Sequence, residues 1–250
     1  MPTGRLVHLA ALGALVAPLA AVAAPLYDYF GPLNEATFGG TGIPNDFVAV
    51  ASQFEDSNNL ITVALAASQR YGNPALTNDG AGTFLATTGA NTLGAPVGAP
   101  LGATWNWNYF IKVEGLNGTT PILADYDITL FYDFNPAFDN GPGGLGRINI
   151  TNGILGSSTP AATLVEGSQN LLFGFLATAL PGLITPPTSG GFTTFNPNAT
   201  GEYNFAIQVS RDGWGVENVR MDVQVVPVPA AAWLFGGALG ALGWLRRRQG

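Results

Sequence analysis

Asp125, Asp127, Asp133, Asn135, Asp139 and Asn140 form the densest run of oxygen-bearing side chains in the sequence. Such groups suit Ca²⁺, which gathers about six to eight oxygen ligands. The spacing is not that of an EF-hand: Phe138 stands at the sixth position from Asp133, where a glycine would make the sharp turn, and the twelfth position holds no Glu. Two readings follow. Asp133, Asn135 and Asp139 hold calcium, or the acids are solvated strand and loop ends, which is the default for a surface strand. No other cofactor is called for.

Nucleophilic chemistry has little to work with. The chain has no Cys, and its one His, His8, lies close to the N-terminus. Removal of that end leaves no imidazole for a Ser-His or Cys-His pair or for zinc. Paired carboxylates could cleave a glycosidic bond, but that needs a defined separation across a sugar, and sixteen acids always supply some suggestive pair. Gly141-Pro142-Gly143-Gly144-Leu145-Gly146 spells G-x-G-x-x-G, yet the β-prone run Arg147–Thr151 follows it instead of a helix that could meet a pyrophosphate. Trp214, in Asp212-Gly213-Trp214-Gly215, is the candidate for stacking on a sugar ring. Trp105, Trp107 and Tyr109 fall on one face of a single strand, which favours core packing over a ligand platform.

These residues must be positioned by strands. Trp105, Trp107, Tyr109, Ile111 and Val113 alternate with Asn106, Asn108 and Lys112, the period of a half-buried strand. Ile128, Leu130, Tyr132 and Phe134 repeat the pattern, as do Tyr203, Phe205, Ile207 and Val209, and then Val219, Met221, Val223 and Val225. Weaker strand signals cover 47–54, 60–67, 82–87, 147–151 and 171–177. Asp79-Gly80, Asn117-Gly118, Asn140-Gly141, Asn152-Gly153 and Asp212-Gly213 supply turns that accept positive φ. Residues 88–103 and 181–199 read as surface loops. The expected class is all-β, an antiparallel sandwich or jelly-roll-like body over residues 24–225.

Between Asp28 and Asp222 lie five basic residues against all sixteen acids, a net of −11. A surface of that sign repels phosphate backbones, so the body is not expected to bind nucleic acid.

The ends carry addresses. In residues 1–23, Arg5 provides a positive start, residues 6–19 an apolar stretch, and Ala21-Val22-Ala23 a small-x-small pattern, so a secretory signal peptide is expected to be cut between Ala23 and Ala24. A cut one residue later would place Pro25 beside the scissile bond, where it lacks an N–H. A retained anchor is the alternative, disfavoured because a span needs about 20 apolar residues. Residues 230–245 form an uncharged apolar run, a transmembrane helix that at about 1.5 Å per residue falls short of a roughly 30 Å bilayer core. Arg246, Arg247 and Arg248 follow as a cytoplasmic stop that leaves the body outside. Gly236 and Gly240 make a small-xxx-small pair that would let another helix approach closely, or else reflect a tail rich in glycine.

Val226-Pro227-Val228-Pro229, the following Ala230-Ala231-Ala232-Trp233-Leu234-Phe235-Gly236, the apolar helix and the Arg cluster together resemble the PEP-CTERM sorting signal in its VPLPA-like variant. The resemblance covers residues 226–250, with Val228 where the commoner form often has Glu. It implies an exosortase-type membrane enzyme as partner and export by the secretion machinery of a Gram-negative cell. It also implies transient residence in the inner membrane, then processing near the Pro motif and release or attachment at the cell surface. A plain single-span anchor is the alternative.

The leading expectation is therefore a non-enzymatic surface or matrix protein, structural or adhesive in the envelope or biofilm. A carbohydrate-binding module for extracellular polysaccharide, stabilised by calcium, stands second, and a polysaccharide-cleaving enzyme third.

Overall fold

The structure, a computed structural model, describes residues 24–55, 58–71, 75–91, 98, 100–137, 143–211 and 214–227. In chain order the elements are β1 (Tyr29–Gly31), β2 (Val48–Glu55), β3 (Asn59–Gln69), β4 (Thr77–Asn78), β5 (Thr83–Thr87), β6 (Trp105–Gly115), β7 (Asp127–Tyr132), β8 (Gly146–Asn149), α1 (Ile150–Leu155), β9 (Leu164–Gln169), β10 (Ile184–Thr185), β11 (Gly201–Arg211) and β12 (Trp214–Val226). They form a five-stranded sheet in the order β1-β2-β3-β6-β9 and a seven-stranded sheet in the order β10-β8-β7-β11-β12-β5-β4.

The two sheets meet through the faces that the alternation marks out. Trp107 of β6 is fully buried, and its ring centroid lies 5.2 Å from Phe205 of β11 and 6.4 Å from Tyr132 of β7. Trp105 sits edge-on to Phe205 at 6.1 Å and to Phe195 at 6.0 Å. Each such side chain taken out of water contributes about 1.5–3 kcal/mol, so this aromatic seam is a substantial part of the cohesion between the layers. The expected core role of Trp105, Trp107 and Tyr109 holds.

Turn chemistry closes several strands. Asn117 (φ 53) and Gly118 (φ 84) are the two central residues of a tight turn in which Thr119 N donates to Leu116 O at 3.1 Å, both on the positive side of φ as that turn demands. At Asp79-Gly80, the Asp79 carboxylate accepts from Ala81 N at 2.7 Å and Thr83 N at 3.0 Å. Slight burial pushes the Asp79 carboxyl up, but those donors together hold it below the usual value.

Four expectations are corrected. The sheets are not wholly antiparallel: β5 runs parallel to β12, Thr83 opposite Asp222 through Thr87 opposite Val226, because β5 fills the edge of a strand formed near the chain's other end. The strand expected over 147–151 stops at Asn149, whose side chain accepts from Asn152 N at 2.7 Å and starts α1, so Asn152-Gly153 lies inside a helix. Residues 171–177 turn into a 3₁₀ segment, Gly174–Ala177. Within the loop expected over 181–199, Ile184–Thr185 pairs with β8.

β9 carried no alternation in LVEGSQ, yet it pairs with β6 from Trp107↔Gln169 to Lys112↔Leu164. No helix among the described residues is long and apolar enough to cross a membrane. The expected transmembrane run, 230–245, lies outside them.

Candidate functional site

The outer face of the five-stranded sheet carries a polar tract at one end. Register places Ala66 opposite Asn108 and Ser68 opposite Asn106, so these side chains share the face turned away from the aromatic seam. Asn108 Nδ2 donates to Ser68 Oγ at 3.0 Å, and Asn106 Nδ2 donates to Ser168 Oγ at 2.9 Å. Asn170, at the end of β9, is fully buried: its Oδ1 accepts from Ala103 N at 2.8 Å and Leu172 N at 3.1 Å, while its Nδ2 donates to Asn106 Oδ1 at 2.7 Å. Asn106 and Asn108 were expected to face solvent; Asn108 instead has no exposed surface, and its Oδ1 has no hydrogen-bond partner.

The cover is the segment between β1 and β2. Ala36 and Phe38 are buried on this face, Phe38 at a φ of 50 that a bulky residue rarely adopts. Glu166 of β9 fixes that conformation, its carboxylate accepting from Thr37 N at 2.9 Å, from Phe38 N at 2.7 Å and from the Thr37 hydroxyl. Lys112, the only lysine, lies 2.6 Å from Glu35 of the same segment and 3.0 Å from Glu114. Its ammonium is held above the usual value first by the Glu35 hydrogen bond. The Tyr109 phenol is pushed up by burial, opposed by a hydrogen bond with Gln169 and reinforced by the Glu166 charge.

Arg70 stands where this tract meets the loop that precedes β6. Its side chain is almost buried, at 9% exposure. Nη1 donates to Asn91 Oδ1 at 3.4 Å and Nη2 to Pro100 O at 3.1 Å. The guanidinium carbon lies 4.9 Å from the Tyr71 ring centroid and 5.4 Å from that of Phe173. Gly102 is required beside it, since a Cβ there would fall 0.8 Å from Nη1. Arg70 lines a recess of about 280 Å³ together with Thr41, Gly42, Ile43, Pro44, Ser68 and Gln69. A buried guanidinium with weak neutral acceptors and an open recess beside it is equipped to receive an anion.

The residues expected to act fall elsewhere. Asp133 and Asn135 are buried just beyond β7, where Asp133 Oδ1 accepts from Asn135 N at 2.9 Å and Asn135 Oδ1 from Ala137 N at 3.1 Å, two successive side-chain turns. The Asp133 charge, after burial, raises the Tyr203 phenol. Asp139 lies outside the described residues. Asp125 and Asp127 line a different recess with Tyr126, Thr151 and Arg211 at the opposite end of β7, about 20 Å from Asp133 at roughly 3.3 Å per residue. The acidic run of the sequence is therefore two separate places. Among the described residues no three of His, Cys, Asp and Glu come together as a metal-holding group.

Trp214 is the first residue of β12, paired with Arg211. Ala24 is exposed, Val226 closes β12 and Pro227 follows it exposed. Ala21, Ala23, Val228, Pro229, Gly236, Gly240, Arg246, Arg247 and Arg248 lie outside the described residues. A further open, polar recess is lined by Thr129, Arg147, Asn149, Asn152, Gly182, Leu183 and Thr185.

Arg70, Glu166 and Asn170 escaped the reading of the sequence. One signal was there: from Asn58 to Val113 the chain holds a single acid, Asp79, beside the cations Arg70 and Lys112. No family model, curated protein or solved structure matches the chain.

Proposed function

We propose that this chain is the precursor of an exported, non-enzymatic surface or matrix protein. In this reading its β-sandwich body is carried out by the leader, held briefly in the inner membrane by the tail, and freed or attached by an exosortase-type enzyme. The observation that carries the reading is where pairing begins and ends among the described residues. Leu26 bridges to Arg220, its N donating to Arg220 O at 3.2 Å and its O accepting from Arg220 N at 2.8 Å. At the other end Val226 O accepts from Thr88 N at 3.0 Å. A cut between Ala23 and Ala24 and a second cut beyond Val226 would leave every ladder hydrogen bond among the described residues in place.

Cell fractionation with intact-mass analysis tests this. Processed protein outside the inner membrane supports the proposal, and full-length protein in the cytosol refutes it.

A second reading is a carbohydrate-binding body with calcium at Asp133, Asn135 and Asp139 and Trp214 as stacking platform; the observation that favours a binding body is the open polar recess lined by Thr129, Arg147, Asn149 and Asn152, which contains none of those four residues. Glycan-array binding that is lost on Trp214→Ala supports it; binding indifferent both to that change and to EDTA speaks against it.

A further inference from the structure

Arg70 poses an electrostatic problem that the fold leaves open. A guanidinium withdrawn from water loses hydration that an ion pair normally replaces. None of the described carboxylates pairs with Arg70, whose polar contacts are one long bond to an amide oxygen and one to a backbone carbonyl. The two neighbouring rings supply partial compensation through their electron-rich faces. Nearby sequence offers no acid either: residues 58–78 and 80–113 contain none, and the Asp79 carboxylate is occupied by Ala81 N and Thr83 N.

We propose that the recess beside Arg70 is a binding site for a small monocarboxylate, with the guanidinium as its counter-charge. Five N–H donors belong to an arginine, and here two are engaged by the protein, which leaves donors for a carboxylate. A single positive charge balances a monoanion; a dianionic phosphate or sulfate would keep an unneutralised charge inside a body whose net charge is already strongly negative. The recess, about 280 Å³, is slightly below the roughly 300–1,000 Å³ of sites for drug-sized ligands, so it accommodates one sugar-sized unit or a smaller acid. Thr41 and Gln69 line it with an exposed hydroxyl and amide suited to a hydroxylated ligand such as a uronic acid, while Ser68 is buried and its Oγ accepts from Asn108 Nδ2. Glu166 contributes indirectly, since it fixes Thr37 and Phe38 and so positions the covering segment that continues into Thr41–Pro44.

This site is independent of whether the tail is processed. The test is calorimetric titration of the full chain in neutral detergent, at low ionic strength, with galacturonate, acetate and methyl galactoside. Saturable binding of galacturonate is expected, with acetate competing for it and methyl galactoside, which has no carboxylate, failing to bind. Tighter binding of galacturonate than of acetate identifies an acidic sugar as the source; equal binding identifies the carboxylate alone, and both support the site. Arg70→Lys keeps the charge but loses the planar fork and is expected to weaken binding at least tenfold. Thr41→Trp, at an exposed rim position, should block the recess while leaving the melting temperature unchanged. The proposal is overturned if neither acid binds, if methyl galactoside binds as well as galacturonate, or if folded Thr41→Trp and Arg70→Lys both bind like the parent.

Discussion

Replacing Glu166 by Ala should loosen the cover of the five-stranded sheet without disturbing the aromatic seam. The carboxylate accepts two backbone N–H groups, from Thr37 at 2.9 Å and Phe38 at 2.7 Å, together with the Thr37 hydroxyl. Hydrogen bonds to a charged group contribute about 1.5–3 kcal/mol each. The Thr37 bonds are exposed and belong below that range, whereas the Phe38 bond is partly buried and belongs within it. Phe38 is also held at positive φ, so the bond opposes an intrinsic cost on the order of 1 kcal/mol. The expected loss is about 2–3 kcal/mol, which for a domain near 200 residues lowers the melting temperature by about 4–12 °C. If the segment detached completely, the buried Phe38 ring would add roughly 1.5–3 kcal/mol. Thermal unfolding combined with hydrogen exchange separates the two cases: Thr37 and Phe38 should lose protection while the amides of β3 and β6 keep theirs. An unchanged melting temperature with full protection at Thr37 and Phe38 would refute the clamp.

Other perturbations address the rest of the fold. Trp107→Ala removes the fully buried centre of the seam and should cost about 3–5 kcal/mol in chemical denaturation; a loss below 1 kcal/mol would mean that the sheets do not meet there. Gly102→Ala should destabilise the chain and expose Arg70, read as a lower denaturation midpoint, because the added Cβ occupies the guanidinium's place. Burial raises the Tyr132 and Tyr203 phenols above their ordinary value, so the folded state keeps protons that the unfolded state gives up near pH 10. Their contribution is therefore complete below about pH 10 and is lost as pH rises further. Phenolate absorbance should show both ionising only on alkaline unfolding, and free titration of all seven tyrosines near pH 10 would contradict this.

Much of the inner face was legible because Trp105, Trp107, Tyr109, Ile111 and Val113 bury one side of β6 whatever lies opposite. Period-two alternation reports that one face is dry, and says nothing of what covers the other. Asn108 looked solvent-facing for that reason, although it is fully buried and donates to Ser68 Oγ. β9 was invisible since Glu166 and Gly167 break any apolar rhythm; its strand character comes from pairing with β6, and Glu166 is there to hold a loop 128 residues away at Phe38. Oxygen-bearing residues close in sequence were a poor guide to a site, because an extended β7 carries Asp127 and Asp133 to opposite ends. The Arg70 recess needs Thr41, Arg70 and Pro100 brought together, a contact set that only the three-dimensional arrangement defines.

The two-address account is tested most directly by the intact mass of the protein recovered outside the cells. It predicts a polypeptide that begins at Ala24, retains Val226 and lacks Trp233 through Arg248. A secreted product that still carries the apolar run and the arginine triplet would contradict it.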